Sequence, residues 1–150
     1  MEVSDEQGAV VLDVVRLRDL ALAVLVDHGV PSGELSLSFV DEDTISQLNQ
    51  RYLEGVGPTD VLAFPLDAHP TEWSGASDDV PVLLGDVAVC PALAARNAAA
   101  RSVPTDEELA LLVVHGVLHV LGMDHAEPDE AAAMRACERR LLEGWGREHP

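Results

Sequence analysis

The sequence predicts an α+β fold in which a small mixed β-sheet packs against helices. Three observations support this class: four short segments have patterns typical of strands, five longer segments carry apolar residues at helical spacing, and no segment repeats another. With 150 residues and 47% apolar side chains, the chain is predicted to be a single domain, residues 1–150, with a core of its own.

The first half of the chain is predicted to contain two strands and two helices. Apolar residues recur at helical spacing over residues 9–28, until a Gly-Val-Pro sequence ending at Pro31 stops the run, and again over residues 41–53. Between these helices, residues 34–40 alternate apolar and polar side chains, which predicts a half-buried strand. A short strand is also predicted for residues 1–3.

The second half begins with two further strands. Residues 61–64 and 82–90 are short apolar runs, and the residues between them, 67–81, are rich in Pro, Ser, Asp and Gly, which predicts a surface loop. The Ala-rich residues 91–101 predict a helix that begins at a proline, a favoured first helical residue. The last predicted helix covers residues 128–144.

One helix is predicted with clear boundaries, from Thr105 to about Leu121. Thr105 is its predicted N-cap, and Glu108, three residues further on, is the reciprocal partner of a capping box, with acidic residues filling the first turn. Gly122 is predicted to end the helix in the left-handed conformation that glycine adopts at low cost.

Three histidines on and just after this helix predict a metal site. His115 and His119 are four residues apart and therefore share one helix face, and His125 follows the turn at Gly122. Three imidazoles with one open position are typical of catalytic zinc, whereas structural sites are usually closed by four protein ligands. We therefore predict one Zn²⁺ ion bound by His115, His119 and His125. The alternative is three ordinary polar histidines, but half of the chain's six histidines lie within this segment.

The spacing of these histidines matches zinc proteases that contain His-Glu-x-x-His-x-x-Gly-x-x-His, so the helix is predicted to be zincin-like. Here Gly116 stands where those enzymes have the glutamate that acts as general base. Asp124 could replace that base or orient an imidazole. Peptidase activity is thus a weak alternative, and the sequence identifies no catalytic residue beyond the metal ligands.

The segment from His115 to His125 resembles the signature of the YbeY family, His-Gly-x-Leu-His-Leu-x-Gly-x-Asp-His. The resemblance extends in order over residues 34–146. Its other blocks are Leu48-Asn49 with Tyr52, Pro58-Thr59-Asp60-Val61-Leu62-Ala63-Phe64-Pro65, and Leu84-Gly85-Asp86-Val87 with Cys90.

The resemblance implies a zinc-dependent, single-strand-specific endoribonuclease that acts in 3′-end maturation of small-subunit rRNA and in ribosome quality control. It also implies three partners: rRNA, a small-subunit ribosomal protein and a GTPase of ribosome assembly. The alternative from another class is a non-catalytic, zinc-stabilised ribosome assembly factor.

The chain departs from the family at Leu53, where the family often has an arginine implicated in RNA cleavage. Arg51 lies two residues earlier, about 200° around the predicted helix, and so faces nearly the opposite way. Other arginines are candidates for the missing phosphate contact: Arg96, Arg101, Arg135, Arg139 and Arg140.

The charge of the chain is strongly acidic, with 27 acidic residues against 9 arginines, no lysine and a net charge of −18. Such a surface disfavours nonspecific contact with nucleic acid and with anionic membranes. The N-terminus lacks the pattern of a signal peptide, no apolar run is long enough to span a bilayer, and the two cysteines are predicted to be buried thiols. We therefore expect a cytoplasmic protein with no membrane partner.

Overall fold

The computed structural model describes residues 1–30, 33–53, 59–65, 82–122 and 128–148, and the predicted α+β class is confirmed. Within these residues the strands are β1 (Glu2–Asp5), β2 (Gly33–Phe39), β3 (Val61–Pro65) and β4 (Val82–Val89). The helices are α1 (Val14–Asp27), α2 (Glu42–Leu53), α3 (Pro91–Arg101), α4 (Thr105–Val120) and α5 (Pro128–Glu148). The predicted loop at 67–81 lies outside the described residues.

The four strands form one mixed sheet in the order β1-β2-β4-β3. Strands β1, β2 and β4 run parallel, and β3 is antiparallel to β4. The parallel register places Leu37 of β2 opposite Val3 on one side and Val87 on the other. Strand β4 therefore joins the parallel part of the sheet to its antiparallel edge strand.

Strand β2 shows the predicted alternation between a buried and a polar face. Leu35, Leu37 and Phe39 are at most 1% exposed and belong to the main hydrophobic cluster with α1 and α4. Ser36 and Ser38, between them in sequence, point to the opposite face because successive strand residues alternate. One face of the sheet therefore carries the larger part of the core.

Helix α2 lies against the opposite face. Its Ile45 is fully buried in a smaller cluster whose other buried members are Val40, Leu62, Ala88 and Cys90. Beside this cluster is a cavity of about 480 Å³, whose polar lining includes Ser36, Ser38, Thr44, Glu6 and Asp86. Two carboxylates in the lining disfavour a phosphate there. The cavity also lies across the sheet from the helix that carries the paired histidines.

The predicted start of the first helix at residue 9 is wrong, since α1 begins at Val14. The side-chain amide of Gln7 donates to the carbonyl of Val10 at 3.0 Å and accepts from its backbone N–H at 3.0 Å, which holds a bend instead of a helical turn. Asp13 then caps α1 by accepting a hydrogen bond from the backbone N–H of Arg16. The apolar residues directly before Asp13 belong to the segment that connects β1 to α1, and Val11 is 97% exposed.

The predicted capping box at the start of α4 is also wrong. The helix begins with Thr105 as its first residue, and the carbonyl of Pro104 accepts from the backbone N–H groups of Glu107 and Glu108. The side chain of Glu108 turns away from the helix start and pairs with Arg101, with 2.6 Å between Oε2 and a guanidinium nitrogen. A cation from α3 therefore replaces the local capping contact.

Helix α4 approaches the sheet most closely at Gly116. A Cβ atom built at this position would lie 2.6 Å from a methyl carbon of Val87 and 3.3 Å from one of Val61. Val87 is itself only 1% exposed, so its side chain has little room to move. Glycine at 116 is thus required by packing, and no carboxylate can occupy the position that the zinc proteases use for their base.

We expect Gly116→Ala to lower the free energy of unfolding by up to about 2 kcal/mol. Overpacking costs about 1–3 kcal/mol, and the better helix propensity of alanine offsets about 1 kcal/mol of that cost. Urea unfolding measures the difference. The matched control is Gly144→Ala in α5, where a built Cβ meets nothing within 4 Å and which should be neutral or stabilising. Equal stability of the two variants would contradict the close-contact argument.

Candidate metal centre

The two helical histidines lie on the open stripe of an otherwise buried helix. From Glu108 to Val120 every residue of α4 is buried except Leu111, His115 and His119, which are half-buried and each four residues apart. The rings of His115 and His119 are in edge contact, with centroids 4.7 Å apart and an interplanar angle of 74°. The two imidazoles are therefore neighbours, as predicted, and the residues around the rest of the helix are buried in the core.

Helix α4 ends as predicted at a glycine with positive φ. Gly122 has φ +98°, a conformation that residues with a Cβ rarely adopt, and its N–H donates to the carbonyl of His119 at 3.0 Å. Asp124 and His125 lie outside the described residues. The third predicted ligand therefore stays a prediction, while the turn that would bring the chain back begins where it was expected.

Helix α5 contributes a buried carboxylate beside the first histidine. Glu138 is 8% exposed, and its Oε1 lies 2.8 Å from Nδ1 of His115. Sequence reasoning missed this residue, because 23 positions separate the two partners. Only a weak sequence pattern indicates that Glu138 is buried. It follows the apolar residues Met134 and Cys137 at a spacing that places all three near the inner face of α5.

A second group of potential ligands lies where the end of α1 meets α5. One ligand atom from each of Asp27, His28 and Cys137 lies within 4.8 Å of the other two. The carboxylate of Asp27 already accepts two hydrogen bonds from Arg140, at 2.6 and 2.8 Å, and the same guanidinium lies 3.5 Å from Sγ of Cys137. A metal ion would have to displace this cation, which makes the group a poorer candidate than the histidine pair.

The acid–base properties of the second group follow from the same contacts. Hydrogen bonds from Arg140 hold the pKa of Asp27 below its ordinary value. Burial raises the pKa of the Cys137 thiol, which stays protonated and weakly nucleophilic. Cys137 and Cys90 are both buried and unbridged, as the sequence predicted.

Most arginines proposed as phosphate contacts are engaged by acidic residues. Arg96 pairs with Glu42, Arg101 with Glu108, and Arg140 with Asp27. Arg135 and Arg139 are exposed on α5. The side chain of Leu53, which stands at the family's arginine position, lies outside the described residues, so the effect of that departure stays untested.

Comparison with known proteins decides the family. A family model described as endoribonuclease YbeY matches residues 3–146. The chain belongs to the endoribonuclease YbeY family. It is 45% identical to the endoribonuclease YbeY of Salinispora tropica over 97% of this chain and 95% of that protein. It is 44% identical to the protein of the same name from Mycobacterium leprae, over 97% of this chain and 82% of that one.

The fold agrees with a solved structure as well. The solution structure of TM1509 from Thermotoga maritima matches with a TM-score of 0.61 and 26% identity, covering 99% of this chain and 94% of that one. YbeY family membership confirms the resemblance found in the sequence and the predicted endoribonuclease function. The assembly-factor and peptidase alternatives are not favoured. In the described part of the chain, no helix is long and apolar enough to cross a membrane.

We expect Asp27→Asn to destabilise the protein at neutral pH and to matter less in acid. The pKa of Asp27 is lowered in the folded state from 3.8, so its ion pair with Arg140 stabilises the fold above that pH. This contribution is lost as the pH falls through the lower folded-state value. Urea unfolding midpoints at about pH 7 and about pH 3 give the comparison. Asp19→Asn, which removes an exposed carboxylate from the same helix, is the control. A wild-type advantage over Asp27→Asn that grows in acid would contradict the assignment.

Proposed function

We propose that this YbeY family member cleaves single-stranded RNA with one zinc ion bound by His115, His119 and His125, and that it matures the 3′ end of small-subunit rRNA in the cytoplasm. The observation that carries the proposal is the pair of adjacent imidazoles on the open stripe of α4. Family membership supplies the substrate class. We treat residues 1–150 as one catalytic domain, because both hydrophobic clusters use the same sheet.

The residues at the site suit a zinc ion. Imidazole nitrogens are preferred zinc ligands, and two of them already face each other from one rigid helix. When bound in a three-nitrogen site, zinc supplies a Lewis acid that stabilises negative charge on a phosphoryl oxygen. Both residues are half-buried, so part of each stays accessible to a substrate.

The packing of α4 favours RNA over peptide as the substrate. Peptide hydrolysis by the related zinc proteases needs a glutamate directly after the first histidine. Gly116 occupies that position and faces Val87 and Val61 of the sheet. In RNA the nucleophile can be the neighbouring 2′-hydroxyl or a water molecule, and neither requires a carboxylate at residue 116.

Protein partners fit the charge of the chain. A net charge of −18 without lysine opposes nonspecific attraction to the RNA backbone, and three arginines of the described helices are neutralised by acids. We propose that contact with a small-subunit ribosomal protein and with a GTPase of ribosome assembly brings the enzyme to its RNA. Specific protein docking would then replace long-range phosphate attraction.

We expect His119→Ala to abolish metal-dependent cleavage and His28→Ala to leave it intact. Loss of an outer hydrogen-bond partner of a metal ligand costs roughly 10–100-fold, so loss of the ligand itself should reduce the rate by more than about 100-fold. The measurements are zinc content after purification without chelator and cleavage of a short single-stranded RNA. His28 is the matched control, because it is half-buried and belongs to the second group of potential ligands. Zinc lost only in His28→Ala would assign the metal to the other group.

We also expect the isolated protein to bind naked rRNA weakly and to bind whole small ribosomal subunits more tightly. Phosphate contacts release counterions, so binding through them weakens steeply as salt rises. Fluorescence anisotropy with an rRNA fragment, and co-sedimentation with subunits at increasing salt, separate the two modes. Tight binding to naked RNA that persists at high salt without any partner would contradict partner-assisted docking.

A further inference from the structure

The buried charge in the described residues is confined to two carboxylates, Glu108 and Glu138. Burying a carboxylate is costly unless hydrogen bonds or an opposite charge compensate. Glu108 has the Arg101 guanidinium 2.6 Å away. Glu138 instead directs Oε1 at Nδ1 of His115, at 2.8 Å, with its side chain only 11% exposed. The partner of this second carboxylate is therefore an imidazole at the proposed metal site.

This contact determines which nitrogen of His115 carries the lone pair. A carboxylate accepts a hydrogen bond from Nδ1–H, so the neutral ring must be the Nδ1 tautomer, with Nε2 as its acceptor nitrogen. Metal-binding histidines commonly have such a carboxylate on the second ring nitrogen, which orients the ring and raises its basicity. The geometry at His115 matches that arrangement.

Helix α5 is held so that Glu138 cannot easily turn away. Met134 is 1% exposed and Cys137 is 9% exposed in the main hydrophobic cluster. Further along the helix, Arg140 is tied to Asp27 of α1 by two hydrogen bonds of 2.6 and 2.8 Å. The part of α5 that carries Glu138 is therefore anchored to the core and to α1.

The orientation of the His115 ring also affects the ring of His119. The rings of His115 and His119 meet edge to face, with centroids 4.7 Å apart, so rotation of the first ring would disturb the second. A carboxylate that fixes His115 thus restricts both helical ligands before any metal arrives. Preorganisation of this kind lowers the cost of binding.

We propose that Glu138 is a positioning residue whose buried carboxylate accepts the Nδ1–H hydrogen bond of His115 and so presents Nε2 of that ring to the metal. This inference rests on the proposed metal site. It concerns zinc affinity and ligand geometry directly, and catalysis only through them.

The test measures zinc affinity by competition with a chelator, together with the visible absorption spectrum of the Co²⁺-substituted protein. We expect Glu138→Ala to weaken zinc binding roughly 10–100-fold and to change the cobalt spectrum, because the ring is no longer oriented. Glu138→Gln keeps an acceptor oxygen without the charge, so its affinity should fall between those of wild type and Glu138→Ala. The glutamine variant also preserves shape, which keeps the test valid if the alanine variant folds poorly.

The matched control is Glu108→Gln, which alters the other buried carboxylate, whose partner is Arg101 instead of a histidine. It should lower thermal stability and leave zinc affinity and the cobalt spectrum unchanged. Wild-type zinc affinity and an unchanged spectrum in both Glu138 variants would overturn the role of Glu138 while the metal site stands. Zinc binding that His115→Ala does not weaken would overturn the metal site itself, and the role of Glu138 with it.

Discussion

The close contact between helix α4 and the sheet at Gly116 constrains most of the site. With no side chain at this position, the helix lies against Val87 and Val61 and buries nearly all of its middle turns. The half-buried stripe that remains carries both His115 and His119. The same contact leaves no room for the glutamate that zinc proteases with the same histidine spacing use as their base. Packing of one glycine therefore fixes the position of two imidazoles and excludes one kind of chemistry.

Helix α5 completes the other side of this arrangement. It is anchored to α1 by the pair between Arg140 and Asp27, and its inner face brings Glu138 to His115. The contact is made across 23 residues of sequence, between helices joined by the segment that holds the predicted third ligand. Stability of the helical layer and order at the site are thus linked, because the helix that closes the core also supplies the carboxylate.

The electrostatic character of the protein contrasts with that of most RNA-binding surfaces. Acidic residues outnumber arginines by 27 to 9, and several of those arginines are held in ion pairs between helices. This charge balance disfavours nonspecific attraction to the RNA backbone, which is the reason for proposing that partners assist recognition. The cavity on the opposite face of the sheet is acidic as well, because two carboxylates are in its lining.

Local periodicity in the sequence by itself determines much of the fold. The alternation in β2, the histidine spacing on α4 and the turn at Gly122 depend on neighbouring residues alone, and all three are present. Other features required the tertiary structure: the strand order β1-β2-β4-β3, the pairing of Glu108 with Arg101 in place of a cap, and the contact of Glu138 with His115. Each of these joins residues from different elements, so the choice among competing partners is made only when helices and strands pack.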